Sequence, residues 1–231
     1  MNEKQIIFST EQYRYLKEEI LSISDSEEGL LTSKHFPDGE KYHRILSNVS
    51  NRNIVFIGGT IDDTNTLELY DNALGLMHAG ARSLQIVIPY FGYATMERSV
   101  KDGEIVKAKN RAILLSSIPS CAVSNKIYLM DLHAEGIPYY FENDTLTEHI
   151  YCKKIILEAC AAFGTEFVLA ATDAGRAKWV ESLANEMGVQ SAFVYKHRIS
   201  EQETEITGVN AEVQNKIVVI YDDMIRTGGS L

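Results

Sequence analysis

The sequence predicts a doubly wound α/β protein built on parallel sheets, and three observations carry that expectation. Short apolar runs alternate with longer segments whose apolar residues recur at helical spacing. The runs are apolar on both faces, IVVIY at 217–221 being the plainest, as strands covered by helices on both sides must be. The order strand, helix, strand, helix persists along the chain, which favours parallel sheets over hairpins.

Each element has its own signal. Residues 54–57 read as a strand closed by Gly58-Gly59. Leu67, Tyr70, Leu74 and Met77 then recur at helical spacing, with Gly80 as a stop. Residues 86–88 form the next strand, cut off by Pro89. A helix over 105–117 ends before Pro119, and 126–130 is a third strand ending at Asp131-Leu132-His133. Helical spacing returns over 147–162, with Ile155, Ile156, Ala159 and Phe163 on one side. A strand follows at 167–170, then a helix marked by Ala177, Val180, Leu183, Ala184 and Met187 and closed by Gly188. Residues 192–195 and 217–221 are further strands. The pattern falls into two successive units with a boundary near 144–148, taken as 1–146 and 147–231.

Composition narrows the function. A chain of 231 residues, 45% hydrophobic, can bury the core of one large domain or two small ones. A formal charge of −10 argues against nucleic acid or an anionic membrane as partner, since both need a basic footprint. A small anion remains possible, because local groups decide that. Cys121, Cys152 and Cys160 are too few and too poorly spaced for a disulfide framework or a zinc site. No stretch approaches the ~20 apolar residues of a membrane span, and MNEKQIIFST lacks a secretory apolar segment. A soluble, cytoplasmic protein is the expectation.

Chemistry concentrates after IVVIY, where Asp222 and Asp223 stand at the carboxyl end of a strand, the edge where open parallel sheets bind ligands. Two adjacent carboxylates repel unless hydroxyls or a cation face them, and the vicinal diol of a ribose suits that role. Thr227, Gly228, Gly229 and Ser230 follow: two glycines let successive N–H groups point inward, and two hydroxyls add donors. That is a nest for a phosphate dianion, strengthened when a helix begins there. An acidic turn with a flexible glycine pair is the plainer alternative for either half alone.

VVIYDDMIRTGGSL at 218–231 resembles the phosphoribosyl-diphosphate-binding loop shared by type I phosphoribosyltransferases and ribose-phosphate pyrophosphokinases. Further segments, in order along the chain, resemble the pyrophosphokinase family in particular. They are FPDGE at 36–40, VIPYFGYATMER at 87–98, MDLHAEGIPYYF at 130–141, TDAGRAKWVESLA at 172–184 and YKHR at 195–198. The resemblance implies two tandem domains of the type I phosphoribosyltransferase-like fold, the second incomplete in this chain. It also implies diphosphate transfer from ATP to the anomeric hydroxyl of ribose 5-phosphate. Such a transfer spreads negative charge over phosphate oxygens, so cations and positioning matter most.

By the same resemblance, Lys196 and Arg198 are the catalytic cations, and the polar run at 199–208 is a mobile loop that closes over substrate. Asp222, Asp223 and Thr227–Ser230 hold ribose 5-phosphate. His133 and Asp173 hold Mg2+ on the nucleotide phosphates, directly or through water, since magnesium prefers oxygen ligands. Asp131 orienting His133, and Asp173 acting only as a helix cap, stay open as alternatives. Phe36, Asp38, Glu40 and Arg98 bind ATP. The loop carrying the first three reaches a neighbouring subunit's site in the family, which implies a homo-oligomer. Without the resemblance, P-D-G there reads as a β-turn.

The sequence departs from the family at identifiable places. Thr95 and Met96 stand where the family has an arginine and a glutamine on the nucleotide, with Lys107 and Lys109 available on the next segment. Arg226 stands inside the ribose loop and could pair with Asp222 or Asp223. Gly175-Arg176 replaces a run of small residues. The family continues for about another half-domain, so the chain reads as a piece of a longer enzyme. Two other functions remain in view: a non-catalytic regulatory relative of the synthase and, less favoured, a phosphoribosyltransferase.

Overall fold

The computed structural model describes residues 3–172, 175–198 and 204–225. The chain divides between Tyr151 and Cys152 into two compact units.

The first unit comprises β1 (Ile6–Ser9), α1 (Arg14–Ile23), β2 (Glu27–Glu28), β3 (Leu31–His35), β4 (Lys41–Ile45), β5 (Asn53–Ile57), α2 (Asp63–His78), β6 (Ser83–Ile88), α3 (Lys107–Ser116), β7 (Lys126–Met130) and β8 (Leu146–Ile150). Six strands make one sheet in the order β2-β1-β5-β6-β7-β8, every pair parallel. β3 and β4 form a separate antiparallel hairpin. Alternation along the strands builds a core on each face of the sheet. Ile6 and Phe8 of β1 join Ile54 and Phe56 of β5 in one core with Leu69 and Leu76 of α2 and Leu115 of α3. Ile7 and Ile57 belong to another, packed with Leu16 and Ile20 of α1. The Asp62 side chain caps α2 by accepting from the Asn65 N–H, and Gly80, at φ +88°, turns the chain out of it.

The second unit comprises α4 (Lys153–Ala161), β9 (Phe167–Ala171), α5 (Ala177–Met187), β10 (Gln190–Arg198), β11 (Thr204–Val209) and β12 (Ile217–Tyr221). Its sheet runs β11-β10-β9-β12. β9 is buried along its whole length and parallel to both neighbours, while β11 runs antiparallel to β10. Phe167, Leu169 and Ala171 pack with Val180, Leu183 and Ala184 of α5.

Three expectations are corrected. The helix anticipated over 147–162 starts only at α4, because the residues before it extend β7's sheet as β8, in register from Lys126↔Leu146 to Met130↔Ile150. An edge strand tolerates polar residues, and Lys126 pairs with Glu148 across the two strands at 2.5 Å. Within the polar run at 199–208, residues from Thr204 on form β11 rather than open loop; 199–203 lie outside the described residues. IVVIY is a strand, but at the sheet's edge among the described residues, with Ile217, Val218 and Ile220 exposed.

Gly92 ties the carboxyl ends of the first sheet together. Its N–H donates to the Thr60 hydroxyl at 2.8 Å, and a Cβ there would lie 1.9 Å from the Thr60 carbonyl oxygen. Backbone cannot yield as a side-chain tip can. Gly92→Ala is expected to cost ~1–3 kcal/mol of stability or more, read as a lower urea midpoint at unchanged slope.

Candidate functional site

In an open parallel sheet, ligands collect beyond the carboxyl ends where the strand order reverses. In the second sheet that point lies between β9, which leads through α5 to β10 on one side, and β12 on the other. Their register ends at Ala171↔Tyr221, so Thr172 and Asp222 leave adjacent strands abreast. The Thr172 hydroxyl, on a residue only 3% exposed, donates to Asp222 Oδ2 at 2.6 Å. The Asp223 side chain is also only 3% exposed, and it accepts from Arg176 Nε at 2.9 Å.

Arg176 stands at the start of α5, where its carbonyl accepts the Val180 N–H at 2.9 Å. Burial works against the guanidinium's charge. The hydrogen bond from Arg176 to Asp223 and the attraction between them outweigh it, holding the Arg176 pKa above its ordinary value. The two carboxylates therefore differ in their partners: one meets a hydroxyl, the other a cation.

Arg226, Thr227, Gly228, Gly229, Ser230 and Asp173 lie outside the described residues. Lys196 and Arg198 sit in β10 opposite Ile206 and Thr204 of β11, just past a register shift at Tyr195; their side chains are likewise outside the description.

In the first unit, Phe36, Asp38 and Glu40 share the tip of the β3–β4 hairpin. The Phe36 N–H donates to the Glu40 carbonyl at 2.8 Å, Asp38 Oδ1 accepts the Glu40 N–H at 3.1 Å, and Gly39 takes φ +94°. P-D-G is thus a turn, and its tip holds out an exposed ring. Phe36 meets Tyr42 edge-on at 5.8 Å, with the Lys34 ammonium 5.1 Å from its centre.

Arg98 follows β6 with its side chain 78% exposed and Glu97 at 3.5 Å. Thr95 and Met96 close a single helical turn, Ala94–Met96. Tyr93, held at φ +62° just before it, is the centre of a cluster the sequence reading missed. The Lys107 ammonium and the Arg111 guanidinium each lie 4.9 Å from its ring, and its hydroxyl donates to Asp63 Oδ1 at 2.5 Å. Arg111 also pairs with Asp63. The Tyr93 hydrogen bond, helped by Arg111, holds the Asp63 carboxyl below its ordinary range. The available signal was the (i, i+4) spacing of Lys107 and Arg111 on α3.

His133 is exposed on the loop leaving β7. That loop is bent by Asp131 at φ +38° and pinned where the Leu132 N–H donates to His149 Nε2 at 3.0 Å. The ring of His149, on β8, lies 4.1 Å from that of Tyr151, tilted 36° to it. It too was missed, because its segment read as helix. Among the described residues, no group of three or more His, Cys, Asp or Glu gathers as a metal cage.

Comparison with known proteins shows the family. Residues 5–118 match the N-terminal domain of ribose phosphate pyrophosphokinase. The ribose-phosphate pyrophosphokinase of Mycoplasma genitalium is 30% identical over 236 residues, covering 100% of this chain and 69% of that protein. The chain belongs to the ribose-phosphate pyrophosphokinase family. A second member of the family, from Pyrococcus furiosus, is 32% identical over 198 residues, covering 86% of this chain and 68% of its own. The fold is that of the crystal structure of phosphoribosylpyrophosphate synthetase from Mycobacterium smegmatis, with TM-score 0.83 at 22% identity over 99% of this chain and 74% of that one. It is the type I phosphoribosyltransferase-like fold expected from the pyrophosphokinase resemblance.

Leu132 is 3% exposed, so losing the His149 acceptor would remove a hydrogen bond from a buried N–H. His149→Ala is expected to cost ~1–3 kcal/mol, and His149→Gln, which keeps an acceptor, less. Thermal unfolding of the two variants checks the order.

Proposed function

We propose that the protein is a ribose-phosphate diphosphokinase, moving diphosphate from ATP to the anomeric hydroxyl of ribose 5-phosphate and releasing AMP. One observation carries this reading: in a chain of this family, Asp222-Asp223 stands at the β9–β12 crevice, with Thr172 and Arg176 as built partners. The acidic pair receives the ribose diol, and Thr227, Gly228, Gly229 and Ser230 receive the 5-phosphate. Lys196 and Arg198 meet the charge that develops on the transferring phosphate, where fixed cations lower the barrier most.

ATP lies against Phe36, whose exposed ring offers a stacking face, with Asp38 and Glu40 as acceptors and Arg98 as a phosphate cation. The hairpin tip serves a neighbouring copy of the chain in a homo-oligomer. Magnesium, when bound with ATP, supplies positive charge to the phosphate oxygens. The donors suit it unequally: Asp173 offers the oxygen that magnesium prefers as a direct ligand, and the exposed His133 acts through water or phosphate.

A non-catalytic relative that binds sugar phosphate but not ATP is favoured by one feature, Thr95-Met96 beside the solvent-exposed Arg98. Separate titrations with ATP and ribose 5-phosphate divide the two readings.

The intact protein with magnesium is expected to release AMP from ATP only when ribose 5-phosphate is present. No AMP at generous magnesium retires the enzyme reading. Asp222→Asn is expected to raise the KM for ribose 5-phosphate ~10–100-fold, the loss of one charge-assisted hydrogen bond, with a smaller effect on the KM for ATP.

A further inference from the structure

We infer that Arg176 is the positioning residue that lets two adjacent carboxylates serve one sugar, its guanidinium compensating Asp223 across the crevice from the start of α5 so that both acids remain acceptors. This rests on the sugar-phosphate reading of the crevice and deepens it.

A diol hydroxyl donates, so the group facing it must accept. Two carboxylates next to each other, one almost wholly buried, tend to share a proton, and the protonated member then donates instead. Among the described residues, the charged and titratable groups around the Arg176 guanidinium are Asp223, Tyr221 and Asp222. Arg176 is the cation among them, joined to Asp223 by a direct hydrogen bond of 2.9 Å. Asp222 takes the Thr172 hydroxyl, a neutral donor, and lies within reach of the Arg176 charge as well. Arg176 therefore supplies positive charge to the acidic crevice from 47 positions away in sequence. Arg176 acts through Asp223; contact with the sugar is not required of it.

The test compares wild type, Arg176→Met and Arg176→Lys in the intact protein at pH 5.5 and pH 8. Ribose 5-phosphate affinity is read by calorimetry and KM, and stability by thermal unfolding. Taking each ratio to wild type at the same pH cancels the sugar phosphate's own titration. Without Arg176, the Asp223 carboxyl loses a stabilising cation, and burial then favours its protonated form as pH falls. Arg176→Met should then weaken ribose 5-phosphate binding ~10-fold or more at pH 5.5 and about threefold at pH 8, with KM moving more than kcat.

Stability should show the opposite sign. A raised folded-state carboxyl pKa destabilises where the group is ionised, so the loss of Tm relative to wild type should be larger at pH 8 than at pH 5.5. Arg176→Lys keeps the cation and should recover most of both properties; it also carries the test if Arg176→Met fails to fold.

A binding ratio equal at both pH values, or equal loss in the Met and Lys variants, overturns the inference and leaves a plain structural ion pair. If wild type itself does not bind ribose 5-phosphate, the functional reading fails instead. The pH dependence of the Tm loss still decides whether Arg176 compensates Asp223.

Discussion

The site depends on one pairing, the parallel register of β9 and β12. Because Ala171 sits opposite Tyr221, the next residue of each strand emerges beside the other, and Thr172 meets Asp222 at 2.6 Å. A slip of one residue would turn the alternating side chains to the other face and part them. The register is held by a strand buried at every position, Phe167–Ala171, which leaves little room for an alternative. Packing deep in the second unit thus fixes the polar geometry at its rim. Asp223, its side chain 3% exposed, is a costly place for a lone charge, and the two acids have partners of different kinds, a hydroxyl and a guanidinium.

The first unit shows the same economy of loops on a rigid sheet. Its six parallel strands end in segments whose turns are set by local backbone geometry, with Gly92 against Thr60 and with Tyr93 and Asp131 at positive φ; the separate β3–β4 hairpin turns likewise at Gly39. The cation cluster on Tyr93 is the notable difference from a plain turn. Lys107 and Arg111 stack on the ring just before Thr95 and Met96, so positive charge is gathered one element away from where the family resemblance would put it. Asp63 balances that charge, which makes the cluster a brace for the loop as well.

Much of this was legible in the sequence because the inner elements carry strong periods. β5, α2, β7, α5 and β12 all lie where apolar spacing and glycine stops put them, and the acidic pair at the end of β12 was visible from residue order alone. Edge elements were not. β8 is LTEHI, whose polar residues are stabilised across the sheet by Lys126 rather than by a core, and its spacing runs smoothly into the helix after it. The β3–β4 hairpin and β11 are too polar to announce themselves. Arg176 stood out only as a departure from a run of small residues, with no partner assigned to it. The Arg176–Asp223 contact is tertiary, made by α5 beginning beside the end of β12, and no local pattern encodes it.

On the function proposed above, the β9–β12 crevice grips a phosphorylated pentose by its diol. A high-resolution structure of the protein with ribose 5-phosphate tests it most directly. The sugar's vicinal hydroxyls are expected within hydrogen-bonding distance of Asp222, with Arg176 still on Asp223. Density for the sugar elsewhere, or bound in the crevice with its diol turned away from both acids, contradicts it.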